Sequence, residues 1–92
     1  MIDIASAIPT ILSRLKNLPQ EHFIELLTFK KDRSIKIIKL AENKLLIIQK
    51  GYGNEEFYID PKKLKKTLKS LIKKELPRSN KAHLHSGKQT GS

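Results

Sequence analysis

Residues 60–77, DPKKLKKTLKSLIKKELP, are compatible with one secondary structure. Leu64, Leu68, Leu71, Ile72 and Leu76 follow one another at steps of four, three, one and four, a spacing that an α-helix gathers into one stripe. Asp60 suits the N-cap, because its carboxylate can accept an N–H that the first turn leaves unpaired. Pro61 suits the first helical position, where the N–H it lacks is not needed, and Pro77 ends the helix. Lys62, Lys63, Lys65, Lys66, Lys69, Lys73 and Lys74 fill the remaining circumference against one acid, Glu75. A chain containing this segment buries one side of the helix and holds out a cationic back.

The rest of the chain must supply what the stripe packs against. Leu, Ile and Phe account for 13, 12 and 3 of 92 residues, above the roughly 20% below which disorder is the default. One small, marginally stable domain is expected. Near the N-terminus, Ile4, Ile8, Ile11, Leu12, Leu15 and Leu18 keep helical spacing. With Ser6 as N-cap, Pro9 falls in the first turn, so the spacing predicts a helix from about Ala7 to Asn17, stopped by Pro19. From His22 to Lys30 a strand is expected, with a short helix from Gln20 as the competing reading. Lys31-Asp32-Arg33-Ser34 reads as a turn. Ile35–Leu40, Lys44–Lys50 and Glu55–Ile59 read as further strands joined by short turns, which favours an antiparallel meander. In the strand Lys44–Lys50, Leu45 and Ile47 share one face and Leu46 and Ile48 the other. Cover on both faces is therefore expected, from a helix on one side and the other helix or a second subunit on the other.

The expected fold class is α+β: a single small domain at 1–77, an antiparallel meander of about four strands with an N-terminal and a C-terminal helix. Residues 78–92, RSNKAHLHSGKQTGS after Pro77, are expected to be a basic polar tail, largely disordered, with a short edge strand at Ala82–His85 as its one ordered candidate.

Charge is unevenly placed. Residues 1–60 carry 9 Lys/Arg and 8 Asp/Glu, whereas residues 61–92 carry 10 Lys/Arg and 1 acid. A neutral domain followed by a concentrated positive field points to an anionic partner: nucleic acid, an acidic protein or an anionic membrane. For the membrane, the apolar stripe lacks Trp and Phe, and the domain needs it for its own core. No apolar run reaches the roughly 20 residues of a membrane span. The chain has no Cys, which excludes a disulfide framework and a thiolate zinc site. With no leader-like segment at its start, a cytoplasmic location is expected.

Lysine neutralises phosphates without reading sequence, so Lys62, Lys65, Lys66, Lys69 and Lys73, extended by Arg78 and Lys81, are the candidate phosphate contacts. Tyr52 and Tyr58 are the candidate stacking groups, each contact being worth roughly 1–3 kcal/mol per base. Other motifs dissolve on inspection. His83 and His85 would share a strand face but lack a third ligand, so no metal is expected. Ser86-Gly87-Lys88-Gln89-Thr90 lacks the upstream glycine and following helix of a phosphate loop. No nucleophile–base pair or carboxylate pair in an apolar setting is present, so neither catalysis nor a cofactor is expected.

Two resemblances bear on function. Lys50, Gly51, Tyr52, Gly53 and Phe57 are similar to the octapeptide of RNA-recognition motifs, which implies base stacking. Asn54 stands where that family has an aromatic, Glu55 and Glu56 add negative charge, and the segment reads as a hairpin turn rather than a strand interior. The order of four strands and then a helix, over about residues 22–76, resembles the unit of Pur-type and Whirly/transcriptional-coactivator single-strand-binding proteins. That layout implies single-strand binding and a dimer driven by the helix. The present helix is far more basic than the layout requires, and aromatics are few. The leading expectation is a non-enzymatic module binding RNA or single-stranded DNA through its phosphates. The alternative is a protein-interaction or assembly module, with an acidic protein or its own second copy as a homodimer.

Overall fold

The computed structural model describes residues 2–28, 33–51, 54–75 and 81–88. The chain runs through β1 (Ile2–Asp3), α1 (Ile4–Lys16), β2 (His22–Thr28), β3 (Ser34–Ala41), β4 (Lys44–Lys50), β5 (Glu55–Ile59), a 3-10 turn (Pro61–Lys63), α2 (Leu64–Glu75) and β6 (Lys81–Lys88). The strands form one sheet in the order β1-β6-β2-β3-β4-β5, every pairing described being antiparallel. The expected α+β domain, its four-strand meander and its two helices are present. Residues 20–30 form a strand over His22–Thr28; the expected continuation to Lys30 and the turn at Lys31-Asp32 lie outside the described residues.

Three expectations need correction. The second helix is not the last element, because Lys81–Lys88 is a full strand and not part of a tail. It pairs with β2 over its whole length, from His22 opposite Lys88 to Thr28 opposite Ala82, and also holds β1. Without it β2 would be an edge, and Ala82 and Leu84 complete the core. The remainder of the expected tail, residues 78–80 and 89–92, lies outside the described residues. Helix α1 begins at Ile4 instead of Ala7, since pairing of Ile2–Asp3 with β6 makes the chain turn at an extended Asp3. Pro9 therefore sits inside α1, on its exposed side.

The third correction concerns the layers. Both helices pack on one face of the sheet. Ala7, Ile11 and Leu15 of α1 and Leu64, Leu68, Leu71 and Ile72 of α2 share one core cluster with Ile24, Leu26, Ile35, Ile37, Leu45, Ile47 and Ala82. Cross-strand register sorts the inner face into rows: Leu84–Leu26–Ile35–Gln49, then Ile24–Ile37–Ile47–Phe57, then Leu45–Ile59. The other face has rows of its own. Gly87–Phe23–Ile38–Leu46–Tyr58 is one, His85–Glu25–Lys36–Ile48–Glu56 the next, and His83–Leu27–Ser34–Lys50 the third. None of these outer-row residues belongs to the core cluster.

Candidate nucleic-acid interface

The lysine segment begins where β5 delivers the chain to Asp60. The carboxylate there accepts a hydrogen bond from the Lys62 backbone N–H at 2.9 Å, and the Lys63 N–H donates to the Asp60 carbonyl at 2.9 Å. This cap starts a 3-10 turn that passes directly into α2. Leu64, Leu68, Leu71 and Ile72 turn inward and are buried, which fixes the rotation of the helix. Lys62, Lys63, Lys65, Lys66, Lys69, Lys73 and Lys74 are all exposed. Among the described residues, no carboxylate forms an ion pair with any of them.

The lysines at the start of α2 work against the helix, whereas Lys73 and Lys74 in its last turn suit the dipole. A helix N-terminus bears partial positive charge, yet the first turn of α2 contains no acid while Lys62, Lys63, Lys65 and Lys66 crowd it. Lys62–Lys66, Lys65–Lys69 and Lys69–Lys73 are four apart, where like charges repel. Asp60 is the one compensating charge at that end. A surface chosen for helix stability would carry acids in the first turn of α2.

The cationic region is wider than α2. Arg14 and Lys16 are exposed in the last turn of α1, a helix without acids. A cleft of about 310 Å³ separates that turn from the start of α2, lined by Leu12, Leu15, Lys16, Lys39, Leu45, Pro61 and Leu64. Within it the Lys39 Nζ donates to the Leu15 carbonyl at 3.1 Å, stabilising the negative end of α1. The helix layer thus presents the back of α2, flanked by the end of α1. Sequence reasoning missed Lys63, Lys74, Arg14 and Lys16 as members of this surface. Lys63 and Lys74 were legible in the helix periodicity; Arg14 and Lys16 required the packing of α1 beside α2.

The remaining expected site residues are dispersed. Lys81 is exposed at the start of β6, opposite Asp3 of β1. Tyr58 is 62% exposed, but it lies on the sheet face that the helices do not cover, with the Lys44 ammonium 4.6 Å from its ring centroid. It therefore cannot share one flat surface with the back of α2. Tyr52 and Arg78 fall outside the described residues. The apolar stripe of α2 is buried in its own domain. His83 and His85 do share a strand face, their ring centroids 6.4 Å apart, and no group of three or more potential metal ligands occurs among the described residues. No described helix is long and apolar enough to cross a membrane.

The fold and the site define a small α+β domain with a cationic helix layer on one side of an antiparallel sheet. Set against known proteins, the chain matches no family model, no curated protein and no solved structure.

Proposed function

We propose that this domain is a non-enzymatic nucleic-acid-binding module, for RNA or single-stranded DNA, which grips phosphates with the back of α2. The observation that carries the reading is the row of exposed lysines along α2, unpaired with carboxylates among the described residues, whose first members lower the stability of the helix N-terminus. Phosphates near Lys62, Lys65, Lys66, Lys69 and Lys73 relieve that repulsion and release counterions. Arg14 and Lys16 extend the track across the end of α1. Lysines favour backbone contact over bidentate base recognition, so binding is largely independent of sequence.

The test is fluorescence anisotropy with labelled single- and double-stranded RNA and DNA at several salt concentrations. With four or five lysines engaged, log K against log salt for a single strand has a slope of about −3 to −3.5. Changing Lys65, Lys66 and Lys69 together to Glu abolishes binding while circular dichroism stays native. A triple variant that still binds with the same slope overturns the assignment of this surface.

A further inference from the structure

The sheet face turned away from the helices is a second surface with different chemistry. Phe23, Leu27, Leu46 and Ile48 are half-buried there and Tyr58 is largely exposed, while Ile38, between Phe23 and Leu46 in its row, is only 4% exposed. The Lys36 ammonium rests 4.3 Å from the Phe23 ring centroid. Among the described residues no segment covers this face. Tyr58 and four half-buried apolar side chains form a contiguous patch over the buried Ile38, and such patches mark interaction sites.

Two features select the partner. Of the apolar side chains here only Phe23 and Tyr58 have a π-face, and each already has an ammonium over its ring, Lys36 on Phe23 and Lys44 on Tyr58, while Glu25 and Glu56 would repel phosphates. Glu25 and Glu56 offset two of the three lysines Lys36, Lys44 and Lys50 here, on a chain whose net charge is +10. A second copy can approach here without the repulsion that two helix layers would impose. The pattern is complementary to itself about one axis. A two-fold axis along the strands, between β2 and β3, lays Glu25 of each copy over Lys36 of the other and Phe23 over Ile38. It also sets Gly87, which has no side chain to hold the sheets apart, opposite Leu46.

We infer that this face joins two copies of the chain, sheet against sheet, into a symmetric dimer. Four strands of each copy overlap in a flat footprint of about 450 Å². That is smaller than the roughly 800 Å² per partner of a standard interface, so a dissociation constant in the micromolar range is expected. The inference does not rest on the proposed function, but it carries a consequence for it. The two helix layers point outward on opposite sides, so the dimer offers two separate phosphate-binding surfaces.

Sedimentation equilibrium of the nuclease-treated full chain, from low micromolar to near-millimolar concentration, tests the dimer. The expected result is a mass that rises from one copy to two. Glu25→Lys and Lys36→Glu each place like charges across the axis, and each is expected to sediment as a monomer over the same range. Mixed in equal amounts, the two variants restore the dimer as a heterodimer. The lysine introduced in one chain then faces the glutamate introduced in the other, and the native Glu25 of the second chain faces the native Lys36 of the first. Within each variant chain the cross-strand pair stays like-charged on mixing, so recovery reports a contact between chains. Leu46→Glu, at a half-buried position, is expected to give a folded monomer and serves if either charge variant fails to fold. A wild-type chain that stays monomeric, charge variants that dimerise like wild type, or a folded Leu46→Glu that still dimerises overturns the proposal.

Discussion

Ile47 and Ile48 are neighbours in β4 with the same side chain, yet they serve opposite sides of the molecule. Ile47 is fully buried between Ile37 and Phe57 in the row that α1 and α2 cover, whereas Ile48 is half-buried between Lys36 and Glu56 on the open face. The buried inner side is hydrocarbon apart from Gln49 and Thr28 and is closed by two helices, whose exposed reverse carries the α2 lysines with Arg14 and Lys16. The outer side mixes hydrocarbon with charges of both signs and has no lid among the described residues. Apolar content alone does not separate core from contact surface. What separates them is which rows the helices reach and what charge accompanies the rows they leave.

The largest expected difference comes from trimming each isoleucine. Ile47→Ala removes buried methyl groups from the centre of the core and costs about 3–4 kcal/mol, enough to unfold most of a marginal domain. Ile48→Ala, measured in dilute solution where the chain is monomeric, costs about 1 kcal/mol. Urea denaturation of both variants checks this, and equal losses would mean that the outer face is also closed.

Next comes a separation of functions. The Lys65, Lys66 and Lys69 triple change to Glu is expected to lose nucleic-acid binding, keep its dimer mass and raise the melting temperature by a few degrees. Acids at positions 65 and 66 suit the helix dipole, and turning the Lys62–Lys66 and Lys69–Lys73 repulsions into attractions outweighs the one new like-charge pair at 65 and 69. A fall in melting temperature would show that these lysines support the fold. Asp60→Ala removes the cap that holds the lysine turn in place and is expected to cost about 1 kcal/mol, or a drop of about 4–8 °C by calorimetry. The smallest effect belongs to a residue on neither face. Glu21 adopts φ 66, and its N–H donates to the Lys39 carbonyl at 2.7 Å. Glu21→Gly keeps that bond, relieves the left-handed backbone and is expected to gain about 0.5 kcal/mol, with binding and dimer mass unchanged.

Much of this layout was legible in the residues themselves. The step pattern of Leu64, Leu68, Leu71 and Ile72 and the Asp60-Pro61 entry specified α2, its cap and its rotation, because all the signals there agree. Phe57 and Ile59 against Glu56 and Tyr58 likewise gave the faces of β5. β6 was hidden because its eight residues include only Ala82 and Leu84 as apolar members. It is a strand because β2 needs a neighbour, a tertiary demand that local propensity does not express. Pro9 misled in a similar way: it read as a first-turn residue, while the true start was set by the pairing of Ile2 with Ala82. The apolar doubling of β4 announced two contact faces but not that both helices would choose the same one.

β6 is made last among these elements and yet lies between β1, made first, and β2. While the chain is being synthesised, its opening residues have no place to dock until the strand ending at Lys88 has left the ribosome. The sheet is thus closed by its latest piece, and the meander of β2 to β5, whose neighbours are local, has every opportunity to assemble beforehand. During that wait the β2 margin stands open.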